Sequence, residues 1–484
     1  MGSVDVLWLN MDRPTNLMVI VSVVLLESVP DWDRVLDVLR ERMLARYPVF
    51  TQRARSPRGP LGRHRWEDDP HFDLEHHVRR ATLAGAPDEG DRALQAYIEE
   101  HLPRPFDRSR ALWEVHLVEG PGPRAAMVFR THHSIADGIA LTRVLLGLTD
   151  GPDGRPGDLV GPPAATALPT DLAVGPLAPP HTAPRPGVVA TGLQLAKRMT
   201  AAARESLRDK GTRATVADAA GYALRTGQVV SELLLTTNPV SAVGGIPGHR
   251  KRLVWTAPLP LTGLRQAGYL VGATLNDVLV SAVAGALHSY QVQRGREPVD
   301  LVTMVPVNLR PLDEPLPREL GNRFALVFLR FPSRDATPLG RLALSKARMD
   351  WLKSSPEAAL TFALIAVMGR APAALERRLV DFFADKAIGV TTNVAGPREP
   401  RSLAGVPVSG LLGWVPGSGR HTLGFCIVTY NGAVRLGIMA DQSVVPDPEE
   451  LLVALEEEIA LLVRVGAAAP APGRRSRRGP ERRS

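Results

Sequence analysis

The chain has 484 residues, 44% of them hydrophobic and 22% charged, the balance of an ordinary globular protein with length for about two to four domains. This excludes a fibrous, mucin-like or wholly disordered chain, and a single cysteine, Cys426, excludes an internal disulfide and a multi-cysteine zinc site. The net charge of +8 sits mostly in a tail, where Arg474, Arg475, Arg477, Arg478, Arg482 and Arg483 face only Glu481; the nearly balanced body argues against a nucleic-acid surface and for a solvated appendage, or one held on anionic lipid.

The first residues lack a basic region followed by an apolar run, so no signal peptide is expected. The longest apolar stretches, 17–26 and 358–369, fall short of the roughly 20 residues needed to span a membrane. A cytoplasmic protein is expected, peripheral to a membrane or lipid body at most.

Residues 17–26 are apolar and β-branched and predict a buried strand. A helix over 32–47 follows, then paired strands at 112–118 and 125–130 across a Gly/Pro turn, then a helix over 139–148. From 151 to 187 there are ten prolines, six glycines and no aromatic residue, a composition that does not pack. This linker divides a domain at 1–150 from one at 188–466, with a disordered Arg-rich tail over 467–484. The second half predicts helices at 188–207 and 217–235, a strand at 252–258, and a helix from Thr274 to about Gln293 with Asp277 in its first turn. Strands are expected at 301–307 and 324–331, helices between Pro338 and Ala384, then strands at 388–393, 423–430 and 433–440. Asn431-Gly432 between the last two is a strong hairpin signal, and an amphipathic helix over 449–465 closes the body. The apolar segments 360–368 and 379–383 read as core packing first, and as tunnel lining or a membrane contact second.

The segment Phe129-Arg-Thr-His132-His133-Ser-Ile-Ala-Asp137-Gly138 carries the chemistry. A strand delivers two histidines to a loop, Asp137 follows His133 by four residues, and Gly138 permits a tight turn into the next helix. A neutral imidazole can accept a proton at cellular pH, and a nearby carboxylate can brace the loop directly or through a buried Arg. Three readings stay open on the residues alone: packing histidines, a metal site using a histidine with Asp137, or a general base. His76-His77 is also a pair but lacks the following Asp-Gly, and reads as surface or strand residues. Cys426 lies in an apolar strand, where burial disfavours the thiolate of an acyl-cysteine mechanism. Gly120-Pro-Gly122-Pro-Arg-Ala125 mimics a dinucleotide fingerprint, but sits between antiparallel-looking strands.

His132-His133-Ser-Ile-Ala-Asp137-Gly138 resembles the HHxxxDG motif of CoA-dependent acyltransferases. More narrowly, the chain resembles the bacterial wax ester synthase/diacylglycerol acyltransferase family along nearly all of both halves. Met11-Asp-Arg-Pro-Thr-Asn16, Leu112-Trp113-Glu114, Asn276-Asp277, Pro306-Val-Asn-Leu-Arg310, Gly321-Asn-Arg-Phe324, Thr392-Asn-Val-Ala-Gly-Pro397 and Tyr430-Asn-Gly432 fall in that family's order. Ala111 departs from it, standing where the family usually has Pro.

The resemblance implies an α/β (α+β) fold of two chloramphenicol acetyltransferase-like domains. Each is a mixed sheet flanked by helices, with a tunnel at their interface. It implies transfer of a long-chain acyl group from acyl-CoA, a co-substrate, to diacylglycerol or a fatty alcohol, with no metal or prosthetic cofactor and no nucleic-acid partner. By resemblance His133 is the base, His132 supports its loop, and Asp137 anchors it with an Arg partner. Gly138 completes the motif. Asn276 faces the developing oxyanion, holds the two halves together, or is a helix-start residue with no catalytic role, and Asp277 and Trp113 are structural supports. Other HHxxxDG acyltransferases, acting on a specialised metabolite or a carrier-bound acyl group, are the nearest alternative. A non-catalytic lipid-binding member of the fold is a second.

Overall fold

The computed structural model describes residues 1–56, 64–157, 237–310, 314–355, 357–369 and 373–468. The helices expected at 188–207 and 217–235, most of the linker, and the tail beyond 468 lie outside the described residues.

The first half supplies α1 (Ser3–Asn10), β1 (Val19–Leu26), α2 (Trp32–Leu39), β2 (Gln52–Arg55), β3 (Arg65–Asp68), β4 (Val78–Thr82), α3 (Gly90–His101), β5 (Trp113–Glu119), β6 (Ala125–His132) and α4 (Gly138–Gly147). The second half supplies β7 (Lys251–Trp255), β8 (Leu259–Pro260), α5 (Leu261–Tyr269), α6 (Leu275–Gln293), β9 (Leu301–Asn308), β10 (Phe324–Phe331), α7 (Pro338–Ser354), α8 (Glu357–Met368) and α9 (Ala373–Ala384). It continues with β11 (Gly389–Ala395), β12 (Ser402–Leu403), β13 (Val406–Trp414), β14 (Leu423–Tyr430), β15 (Ala433–Asp441) and α10 (Pro448–Ala468).

Local chemistry sets several boundaries. Thr274 and Asp277 form a reciprocal capping box at the start of α6, Thr274 N–H donating to Asp277 Oδ2 at 2.7 Å. Asn431 and Gly432 take φ of 45° and 78°, the left-handed pair that turns β14 into β15. The helix expected over 32–47 is regular only to Leu39; its next turn, Arg40–Leu44, is wider, with Ala45 N–H reaching Arg40 O, and Pro48 stops it.

Two mixed sheets result. The first runs β12-β13-β1-β6-β5-β4 and the second β10-β9-β11-β14-β15-β7, with β8 also on β15. Pairs β4–β5, β9–β11 and β11–β14 are parallel and the rest antiparallel. The Pro/Gly linker therefore divides the sequence but not the sheets. Strands β12 and β13 lie beyond residue 400 yet complete the first sheet, β13 pairing with β1 from Val21↔Trp414 to Leu26↔Val408. Asp150, at the end of the first half, bridges Ser402. The second half of the chain thus lends the first sheet two strands. Gly410 belongs to this arrangement, since a Cβ there would lie 2.9 Å from Arg435 Nε.

Strand β1 explains its own unbroken apolar sequence. Ile20, Val24 and Leu26 pack into the core of the first half, while Val19, Val21, Val23 and Leu25 pack into a seam core with Leu253, Trp255, Cys426 and Val428 of the second sheet. A strand covered on both faces has no need to alternate. No helix among the described residues is long and apolar enough to cross a membrane.

Candidate active site

The histidine loop lies where β6 ends, beside this seam. His133 N–H donates to Met18 O at 2.7 Å, extending the β1–β6 pairing one residue further, and Ile135 N–H returns to His132 O. Asp137 caps α4, its Oδ1 accepting from Ala140 N–H at 2.8 Å. Its Oδ2 accepts from Arg323 N–H at 2.9 Å and lies 3.5 Å from Arg310 Nη2. Arg310 is the partner that Asp137 needed, and it also donates to Gly321 O. Asp137 thereby ties the loop to the second half. Asp137 is spent on these contacts. Among the described residues no group of three His, Cys, Asp or Glu is arranged to hold an ion.

The two histidines differ sharply. His132 is engaged at both nitrogens: Ser134 N–H donates to Nδ1 at 3.1 Å, and Nε2 meets Asp12 Oδ2 at 3.2 Å. Burial by itself would raise the Asp12 carboxyl, but His132, the Met18 N–H and Arg108 outweigh it and hold it at about 2. His132 is therefore a fixed support. His133 is buried, stacks on Trp8 with centroids 4.4 Å apart, and sets Nδ1 3.0 Å from Asn322 Oδ1. Its Nε2 has no partner among the described residues, and the ring lines a cavity of about 130 Å³. Burial pushes its imidazole down to about 4, so the ring is neutral at cellular pH.

That cavity is walled by both halves: Trp8, His133 and Gly138 on one side, and Asn276, Met304, Phe324 and Asn393 on the other. Two smaller apolar cavities adjoin it. One of about 60 Å³ shares Trp8, Met304, Leu326 and Ser418 with it and runs between Leu364, Ile365, Met368, Val380 and Phe383. The other, of about 70 Å³, shares Gly138, Thr392, Val394 and Val415 and runs along Val21, Val23, Leu145 and Trp414. His133 thus lines the central cavity that both apolar arms adjoin. The segments 360–368 and 379–383 serve both core packing and the wall of one arm.

Gly138 is required neither by its backbone, since its φ is outside the left-handed region, nor by a close neighbour, since an added Cβ would meet nothing within 4 Å. A side chain there would project toward the junction of two cavities. Asn276 lines the central cavity, its Oδ1 accepting from Asn393 Nδ2 at 3.1 Å, which leaves its own Nδ2 for a ligand. Asp277 is fully buried in its capping box and stays clear of the cavity. Trp113 does not line the cavity; it packs in the core of the first half, its Nε1 donating to Phe50 O at 2.7 Å. His77, expected on the surface or a strand, is instead buried in a short helical turn, stacked on Trp113 at 4.8 Å. Cys426 lines one arm, and burial pushes its thiol up to about 11.

Sequence reading gave no role to Asp12, Arg310 or Asn322, although each lies in a quoted motif. Asp5 and Trp8 carried no signal, because α1 was not foreseen.

A model of the wax ester synthase/diacylglycerol acyltransferase catalytic domain matches residues 1–279, and one of the C-terminal domain of the same family matches 320–463. A putative diacylglycerol O-acyltransferase of Mycobacterium tuberculosis is 30% identical over 99% of this chain and 93% of its own length. A probable diacylglycerol O-acyltransferase of the same organism is 27% identical over 94% and 93%. Among solved structures, a wax ester synthase/diacylglycerol acyltransferase from Marinobacter aquaeolei VT8 aligns with a TM-score of 0.65 at 21% identity, over 96% of this chain and 98% of that one. A condensation domain of the calcium-dependent antibiotic synthetase aligns at 0.56 and 18%, over 97% and 96%. The chain belongs to the wax ester synthase/diacylglycerol acyltransferase family.

Proposed function

We propose that the protein transfers a long-chain acyl group from acyl-CoA to the hydroxyl of diacylglycerol or a fatty alcohol, giving triacylglycerol or a wax ester. The observation that carries this reading is a neutral imidazole on the wall of a cavity that two apolar arms adjoin, with Nδ1 held and Nε2 free. Such arms suit two long aliphatic chains, and the relatives are named for chemistry of this kind.

The acceptor hydroxyl gives its proton to His133 Nε2 as its oxygen attacks the thioester carbon. The carbonyl oxygen takes the negative charge, facing Asn276 Nδ2; one such donor is worth about 2.7–4 kcal/mol. The carbonyl re-forms, the carbon–sulfur bond breaks, and the departing thiolate takes the proton back from the imidazolium. Ester and free CoA are the products, and the proton balance closes on His133 without a metal or prosthetic group. His132 and Asp137 hold the loop and do not touch the reacting atoms. The Arg-rich tail and a lipid surface are proposed as the means of meeting a water-insoluble acceptor.

The test offers purified protein long-chain acyl-CoA or acyl-carrier protein, crossed with diacylglycerol, a fatty alcohol or no acceptor, and reads thiol release and product mass. Acceptor-dependent CoA release with the matching ester is expected, and His133→Ala should lower it by about 10²–10⁴-fold in a folded protein. Undiminished turnover by His133→Ala, or no acceptor-dependent release, overturns the proposal.

A further inference from the structure

Two residues from opposite parts of the chain converge behind His133. Asn322 Nδ2 donates to Asp5 Oδ1 and to His133 O, each at 2.9 Å, and Asn322 N–H donates to the same Asp5 oxygen at 3.0 Å. Turning the amide over would set its carbonyl oxygen against two acceptors, so these contacts fix which end faces the ring. The end that faces His133 Nδ1 is the oxygen, at 3.0 Å. An amide oxygen only accepts, so Nδ1 must carry the hydrogen, and the Nε2 lone pair is left for the cavity. Asp5 is held in turn by Gly2 N–H at 2.8 Å on its other oxygen, and Trp8, one turn further along α1, covers the ring face.

The ring also hydrogen-bonds the backbone of His133 itself. We infer that Asp5 and Asn322 form a positioning relay that, together with this local contact, favours the Nδ1–H tautomer of His133 and steadies the imidazolium formed during turnover, making the N-terminal helix part of the catalytic apparatus. This rests on the reading of His133 as the base. Neither residue touches the reacting atoms; both act through the imidazole. If Nε2 carried the hydrogen instead, no lone pair would be available to the hydroxyl. The other charged or titratable groups near the ring are Asp137 at the cap of α4, His132 on β6 and Lys353 on α7, which lines the same cavity. Asp137 is paired with Arg310, and His132 with Asp12.

The test combines ¹⁵N-histidine NMR on the full-length protein with pH-resolved kinetics on Asn322→Ala, Asn322→Asp, Asp5→Ala and His133→Gln, the last assigning the His133 signals. In the parent protein His133 should show a protonated Nδ1 and an unprotonated Nε2. Asn322→Ala, which leaves only the His133 backbone to hold Nδ1–H, should raise the share of the Nε2–H tautomer and lower kcat by about 10²-fold, with the KM for the acyl donor within about twofold. Asn322→Asp keeps an acceptor against Nδ1 and adds charge, so it should keep the tautomer and move the acid limb of the pH profile upward, while its second oxygen, now set against Asp5 and His133 O, limits the recovery of kcat. Asp5→Ala should shift the tautomers as Asn322→Ala does, with thermal melts confirming that each variant is folded. A purely structural role predicts that Asn322→Ala and Asn322→Asp fall alike, with tautomer and acid limb unchanged, and that result overturns the relay. If those spectra hold but His133→Gln turns over normally, the base assignment fails instead, so the two failures are distinguishable.

Discussion

Acidification is the most direct probe of His133, because it titrates the ring without altering the chain. An ordinary histidine near 6.5 would be about nine-tenths protonated at about pH 5.5 and useless as a base. Burial beneath Trp8 and Phe324 pushes His133 to about 4, despite the opposing pull of Asp137 and of its hydrogen bonds. A group at that value stays almost wholly neutral at about pH 5.5, so the expected advantage over an ordinary histidine is about tenfold in active fraction. The measurement is kcat/KM from about pH 4 to 8 in short assays, following CoA release with a disulfide reagent that works in acid. Samples held at each pH and returned to neutrality control for unfolding. That control matters, because His133 and His421, both pushed down to about 4, bind more protons unfolded than folded between about 4 and 6.5. Their contribution to stability therefore falls as the pH drops through that window. Glu376, which burial raises to about 7, acts in the opposite sense, favouring the folded state as pH falls from 7 toward 4.5. An acid limb of kcat/KM near 6.5, with stability intact, would refute the argument from burial.

Two further perturbations test the surroundings of the ring. Arg310→Ala leaves Asp137 buried without its cation, and losing one partner of a buried pair costs about 3–5 kcal/mol, so denaturant melts should show a clear loss of stability; a midpoint matching the parent would mean the Arg310–Asp137 pair does not hold the seam. Gly138→Leu should fold normally, since the site has room for a Cβ, yet narrow the junction between the central cavity and one arm. In a chain-length series of donors and acceptors, kcat/KM for the longest chains should drop by at least about tenfold while short chains are spared, each lost methylene contact being worth about 0.8 kcal/mol; equal loss at all lengths would show that the junction does not accommodate a chain.

The parts legible in sequence were those encoded locally. β10 and β14 match their expected spans; β14 is buried on both faces and leaves an apolar run, and β10 buries Ala325, Val327, Leu329 and Phe331 on one face while exposing Arg330 on the other. The start of α6 and the β14–β15 turn were marked by Thr274, Asp277, Asn431 and Gly432, each acting on backbone within three residues. Two elements escaped for opposite reasons. β13 contains Pro407, Gly410 and Gly413, which read as loop residues, and its partner β1 lies almost four hundred residues earlier in the chain. α1 has only eight residues and buries Val4, Leu7, Trp8 and Leu9 on more than one side, so it shows no amphipathic period.

The site divides along the same line, and the division has a physical cause. His133 and Asp137 are neighbours in sequence because the base and its loop anchor ride on one strand-to-helix turn. The groups that tune them come from far away, Asn322 at 189 residues and Asp5 at 317 residues from Asn322. Burying an imidazole in an apolar seam keeps it neutral, which a base requires, but the same burial forbids leaving Nδ1 unsatisfied. Local chain has already been spent on the loop, with Ser134 facing His132 and Asp137 capping α4. Beside the ring's contact with its own backbone, the side-chain partner for Nδ1 comes from the opposite half, and fixing that partner's amide requires an acceptor from a third segment. A catalytic imidazole sited between two sheets therefore recruits its supports across the seam, and the strand exchange through β13 holds those sheets in the register that lets them meet.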